Sequence, residues 1–131
     1  MKQKFNIRPR YVDINLEEGY YFLDEDSATG KTYLSTLLKE INELGLANIL
    51  VVTYSRLMNI SDIITYMTNT KYDLIMLDRF DLYCNEDLCE TIEQISDNTV
   101  VLIDIKDLSS LYKIFPRCAT INIKREGVEV L

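Results

Sequence analysis

Histidine and tryptophan are absent from this 131-residue chain, and proline (2) and glycine (4) are scarce. Without histidine there is no imidazole to serve as general acid, triad base or metal ligand. So few glycines and prolines exclude a collagen-like or low-complexity chain. Cysteine occurs three times, as Cys84, Cys89 and Cys118. An odd number builds no closed disulfide framework, and C-x4-C is not a usual zinc or redox spacing, which reads as free thiols in a reducing compartment. No stretch reaches the roughly 18–20 apolar residues of a membrane span. The N-terminal MKQKFNIRPRY holds no apolar run for a signal peptide, so the expected setting is cytoplasmic, away from any membrane. Positive charge is also in deficit: 14 Lys+Arg stand against 21 Asp+Glu, a net charge of -7. Such a surface repels phosphate backbones and argues against direct nucleic-acid binding, while leaving room for one local phosphate site.

What is present is globular. Hydrophobic residues make up 47% of the chain and charged residues 27%, enough for the core of one domain. We read residues 1–131 as that single domain, with polar residues 1–10, carrying Arg8-Pro9-Arg10, as a loosely held arm. Val12, Ile14 and Leu16 alternate with polar residues as in a half-buried strand. Glu17-Glu18-Gly19 reads as a turn, and Tyr20–Leu23 as a second strand closing an N-terminal hairpin. Beyond a polar loop at 24–29 the period becomes helical: Leu34, Leu37, Leu38, Ile41 and Leu44 form one stripe, with Gly45 past its end.

Three continuous apolar runs at 49–52, 74–77 and 100–103 read as strands buried on both faces. Between them, Ser61 is expected to cap a short helix and Asn85 another, with Leu88, Ile92 and Ile95 inside. A last helix is expected after Asp107, stopped by Pro116. The alternating segment 119–123 then returns through Glu126-Gly127 as a C-terminal hairpin. Helices alternating with doubly buried strands make a three-layer α/β domain with a mainly parallel sheet.

The chemistry concentrates where the strand at 20–23 passes through Asp24-Glu25-Asp26-Ser27-Ala28-Thr29-Gly30-Lys31-Thr32 into a helix. Backbone N–H groups at a helix start, Ser27, Ala28 and Thr29 among them, point at an anion with the helix dipole behind them. Gly30 permits close approach, Lys31 reaches phosphate oxygens, and the Thr32 hydroxyl suits Mg²⁺. The segment resembles the Walker A loop of P-loop NTPases. It departs from that pattern at Glu25, where the family has its first glycine, and at Ala28, where many members have another. Tyr72–Leu77 followed by Asp78 resembles Walker B, whose aspartate helps to hold Mg²⁺.

The resemblance, to the RecA-like, AAA+ and ABC branches, spans residues 12–123 and describes a minimal, degenerate member. It implies the strand order 5-1-4-3-2, with Thr32 and Asp78 holding Mg²⁺ at the ends of adjacent strands. It also implies Asp81 in place of the usual catalytic glutamate, Asp104 near a sensor position, and Arg79 and Arg117 as candidate phosphate contacts. No arginine-rich lid, ABC signature, N-K-x-D motif or helical lid domain is present. The expected function is binding of ATP with Mg²⁺, with hydrolysis weak or dependent on a protein partner or self-association. A non-catalytic interaction module on the same fold is the alternative, engaging a basic partner by charge.

Overall fold

The computed structural model describes residues 2–7, 10–24, 28–105, 118–124 and 127–130. The described elements are β1 (Lys2–Ile7), β2 (Arg10–Asn15), β3 (Gly19–Asp24), α1 (Ala28–Glu43), β4 (Ile49–Val52), α2 (Ile60–Asn69), β5 (Leu74–Leu77), a single 3-10 turn (Phe80–Leu82), α3 (Glu86–Ile95), β6 (Val100–Ile103), β7 (Cys118–Lys124) and β8 (Gly127–Val130). The last expected helix, with Asp107 as its cap, and Arg117 lie outside the described residues.

The chain is α/β. The strands form one sheet in the order β1-β2-β8-β7-β3-β6-β5-β4. β3, β6, β5 and β4 are parallel, and β7 joins them parallel to β3. The apolar runs at 49–52, 74–77 and 100–103 supply β4, β5 and β6. Their pleat sends alternate residues to opposite faces, which is why each run is apolar throughout. On one face Ile49, Leu74, Met76, Val100 and Leu102 pack with Leu34, Leu37, Leu38 and Ile41 of α1. On the other, Ile75, Leu77, Val101 and Ile103 pack with Ile63 and Met67 of α2 and Leu88 and Ile92 of α3. Each of these side chains contributes about 1.5–3 kcal/mol by leaving water.

Several expectations are corrected. The whole strand order differs from the five-strand order 5-1-4-3-2 because β8, β2 and β1 extend the sheet beyond β7. The segment β7-β3-β6-β5-β4 keeps that succession. No hairpin joins β2 to β3. β2 pairs with β1 on one side and, in parallel, with β8 on the other, while β3 lies between β7 and β6. Alternation at 12–16 specifies a strand but not its neighbour, and β8 offers a parallel register, Tyr11↔Gly127 to Ile14↔Val130. Residues 2–7 of the expected arm form β1, antiparallel to β2. Polar, lysine-bearing strands of this kind suit a sheet edge and carry little apolar signal. The C-terminal hairpin is present as β7 and β8.

Leu44 lies past the end of α1 and is 63% exposed, outside the buried stripe. There the Gly45 N–H reaches the Asn42 carbonyl (3.0 Å) and the Leu46 N–H the Ile41 carbonyl (3.1 Å). This is a Schellman turn, with Gly45 at φ 72° supplying the left-handed residue it requires. The cap of α2 is Asn59 rather than Ser61. The Asn59 Oδ1 accepts from the N–H groups of Ser61 (2.9 Å) and Asp62 (3.4 Å), so Ser61 is already inside the first turn. Asn85 caps α3 as expected, accepting from the Leu88 N–H at 2.8 Å.

Candidate functional site

Parallel strands place every strand end of one kind along one edge of the sheet. β3 finishes at Asp24 and α1 begins at Ala28, so the helix start carrying Ala28, Thr29, Gly30, Lys31 and Thr32 belongs to the C-terminal edge. Glu25, Asp26 and Ser27 lie outside the described residues, as do the side chains of Lys31 and Thr32. The strands that lead to Thr32 and to Asp78, β3 and β5, are not neighbours: β6 runs between them. At about 4.8 Å per strand their axes are roughly 10 Å apart. The residue interposed at that edge is Asp104, at the end of β6.

Register brings Asp78 and Asp104 together. Leu77 pairs with Ile103, so the next residue on each strand is an aspartate. The ladder continues one step past the strands, with the Asp78 N–H donating to the Val52 carbonyl (2.8 Å) and the Asp104 N–H to the Leu77 carbonyl (2.9 Å). Asp78 is half-buried and Asp104 only 4% exposed. Burial, a hydrogen bond with Asp104 and the charge of Asp104 push the Asp78 carboxyl up to about 6, against the opposing charges of Lys39 and Arg79. Asp78 therefore carries a proton in the acid range, below about pH 6.

The backbone after Asp78 is bent to serve this pair. Arg79 has φ 48° and ψ 50°, the one non-glycine residue at positive φ among the described residues. A left-handed residue with a Cβ costs about 1–2 kcal/mol. The bend lets the Arg79 N–H donate to the Asp104 Oδ2 (3.2 Å) and the Phe80 N–H to the Asp104 carbonyl (2.7 Å). Asp104 is thus held by both its side chain and its main chain.

Asp81 follows a different course. Its Oδ1 and Oδ2 accept from Arg79 Nε (3.2 Å) and Nη2 (3.0 Å), a fork geometry that commits both oxygens. Below, Phe80 is buried and meets Tyr83 edge-on at 5.5 Å between ring centroids, and Tyr54 stacks on Tyr83 at 6.5 Å. Burial, then the charges of Asp78, Asp104 and Asp81, push the Tyr83 phenol far up, so it stays protonated and serves packing.

Lys39 is the residue that sequence reasoning missed. It lies on α1, its Nζ donates to Thr53 Oγ1 at the end of β4 (3.3 Å), and its charge acts on Asp78. Its signal was its position on the helix that carries Lys31 and Thr32, two turns further along. No three acidic or thiol side chains cluster as a ready metal site among the described residues. Comparison with family models, with curated proteins and with solved structures finds no match to this chain.

Proposed function

We propose that the C-terminal edge of the parallel strands binds a nucleoside triphosphate, ATP, together with Mg²⁺, on a three-layer P-loop NTPase-like domain of the RecA-like, AAA+ or ABC kind. The observation that carries this reading is the Asp78–Asp104 pair, two carboxyls crowded at the edge from which α1 starts. A divalent cation is a ligand that such a pair can take. Mg²⁺ is commonly held by one or two carboxylates and completes its shell with water and substrate phosphate oxygens. With two carboxylates at hand among the described residues, the ion would arrive with its nucleotide rather than reside alone. Asp78 and the Thr32 hydroxyl would hold it, with Lys31 and the N–H groups of residues 27–32 on the phosphates. Bound there, Mg²⁺ supplies neutralisation of phosphate charge.

Hydrolysis is weak in this reading. Asp81, the carboxylate nearest the role of orienting water, is committed to Arg79. A partner that draws Arg79 away, or that supplies an arginine, is what the isolated chain lacks; an arginine finger is worth about 10³–10⁵ in rate. The same ion pair favours a second reading, an interaction module that keeps the fold and has lost the chemistry.

Calorimetric titration with ATP-Mg²⁺ and GTP-Mg²⁺ separates them. The proposal expects weak binding that needs Mg²⁺, is abolished by Lys31→Ala and loses its Mg²⁺ dependence in Asp78→Asn. Absence of any heat with the wild-type chain at millimolar nucleotide replaces the nucleotide site with the interaction module.

A further inference from the structure

A second site lies on α3, away from the aspartate pair. Cys84 immediately precedes the cap Asn85, and Cys89 sits one turn into the helix. These are the two positions that pack against each other as a hydrophobic staple at a helix start. Here both are thiols, and their Sγ atoms are 3.6 Å apart. The capping bonds hold the geometry: the Leu88 N–H is on the Asn85 side chain (2.8 Å) and the Cys89 N–H on its carbonyl (3.0 Å). A cleft of about 440 Å³ opens onto both cysteines, and Glu86, Glu90 and Glu93 line it with Asn85.

We propose that Cys84 and Cys89 form a dithiol site that closes to an intrachain disulfide by exchange with a small cationic disulfide entering this cleft. Cys84 is half-exposed and attacks; Cys89 is buried and resolves. The Cys84 thiolate bonds to one sulfur of the incoming disulfide, whose S–S bond breaks and releases the first small thiolate, which takes a proton. The Cys89 thiolate then bonds to Cys84 Sγ and releases the second. The protein dithiol is oxidised by two electrons and the small disulfide is reduced to two thiols. The Sγ atoms close from 3.6 Å to the roughly 2.05 Å of a disulfide, a movement within reach of side-chain rotation. Burial raises both thiols, Cys89 to about 12, which leaves Cys84 the readier nucleophile. The three glutamates select the ligand, since they attract an ammonium-bearing disulfide and repel an anionic one.

The test treats the Cys118→Ser chain with cystamine or with oxidised glutathione, quenches by alkylation, and maps the peptides by mass spectrometry. Cystamine is expected to remove both alkylatable thiols and yield a peptide cross-linked between Cys84 and Cys89. It should act at least severalfold faster than oxidised glutathione at low salt, with the gap narrowing at high salt. Adding Cys89→Ser should leave a persistent cysteamine adduct on Cys84, and adding Cys84→Ser should leave Cys89 unmodified. Thiols that stay alkylatable in cystamine, or a stable adduct on Cys84 with Cys89 intact, overturn the disulfide. Equal rates with the two reagents overturn the role of the glutamates.

Discussion

Strand β5 has an aspartate near each end, and the two are treated in opposite ways. At the N-terminal edge, Asp73 Oδ2 accepts the Asn48 N–H at 2.9 Å, while its own N–H returns to the Asn48 carbonyl at 2.8 Å. Asn48 Nδ2 adds a bond to the Lys71 carbonyl (2.8 Å), and Asn42 Oδ1 receives the Ile49 N–H (3.0 Å). Each of these acceptors meets a donor, and the Asn42 side chain ties the start of β4 to α1. At the C-terminal edge, Asp78 meets another carboxyl, and the next residue is strained. One edge uses its acid to hold the fold. The other keeps a like-charge pair at the mouth of a helix start, an arrangement that a cation and a phosphate would relieve. The left-handed Arg79 and the raised Asp78 carboxyl lie together at the edge where function is proposed.

The largest effect expected concerns acidity at the C-terminal edge. Glu25 stands where the Walker A loop that this segment resembles has its first glycine, in the loop proposed to wrap a polyanion. Glu25→Gly should tighten ATP-Mg²⁺ binding by about 1–2 kcal/mol, the scale of one nearby like charge in a partly solvated site. An unchanged dissociation constant in calorimetry would mean that this side chain turns away from the phosphates.

Next is stability. Asp78 has a folded pKa of about 6 against an ordinary value of 3.8, so the folded state binds more protons than the unfolded state between those values. The stabilisation this carries is complete below about pH 4 and is lost as pH rises through about 6. Asp78→Asn should remove that slope and leave the protein more stable than wild type at pH 8 by about 1 kcal/mol. That figure is below the full shift because the carboxyl keeps contact with solvent. Urea unfolding at pH 4.5 and pH 8 reads this directly, and parallel pH profiles for the two proteins would refute the raised Asp78 carboxyl. Asp104→Asn keeps an acceptor for the Arg79 N–H and removes the charge. The Asp78 carboxyl, followed by NMR, should then titrate closer to its ordinary value.

The smallest effect belongs to the satisfied edge. Asp73→Ala removes one exposed, charge-assisted acceptor and should destabilise by about 0.5–1 kcal/mol. Nucleotide affinity should be untouched, because the proposed site lies at the opposite end of the strand. A loss of ATP binding in this variant would show that the two edges are coupled.

Periodicity and caps were decided locally, and the sequence carries them. The stripe from Leu34 to Ile41, the apolar runs of β4, β5 and β6, the Asn85 cap and the Gly45 stop each depend on residues within a few positions of one another. The helix that carries Gly-Lys-Thr in its first turns, after a buried strand, was legible for the same reason, although it starts at Ala28 rather than Gly30. The partnership of Asp78 with Asp104 was not, nor was the separation of β2 from β3, the strand β1, or the interposition of β6 between the two halves of the proposed site. Those follow from which strands pair and in what register, a match between segments far apart in the chain. The pleat tells a residue which face it occupies, but only the neighbouring strand decides what it meets there. Asp78 and Asp81 are both acids after an apolar run. Tertiary structure gave one a carboxyl and the other a guanidinium, because the turn at Arg79 aims its N–H at Asp104 and its side chain at Asp81.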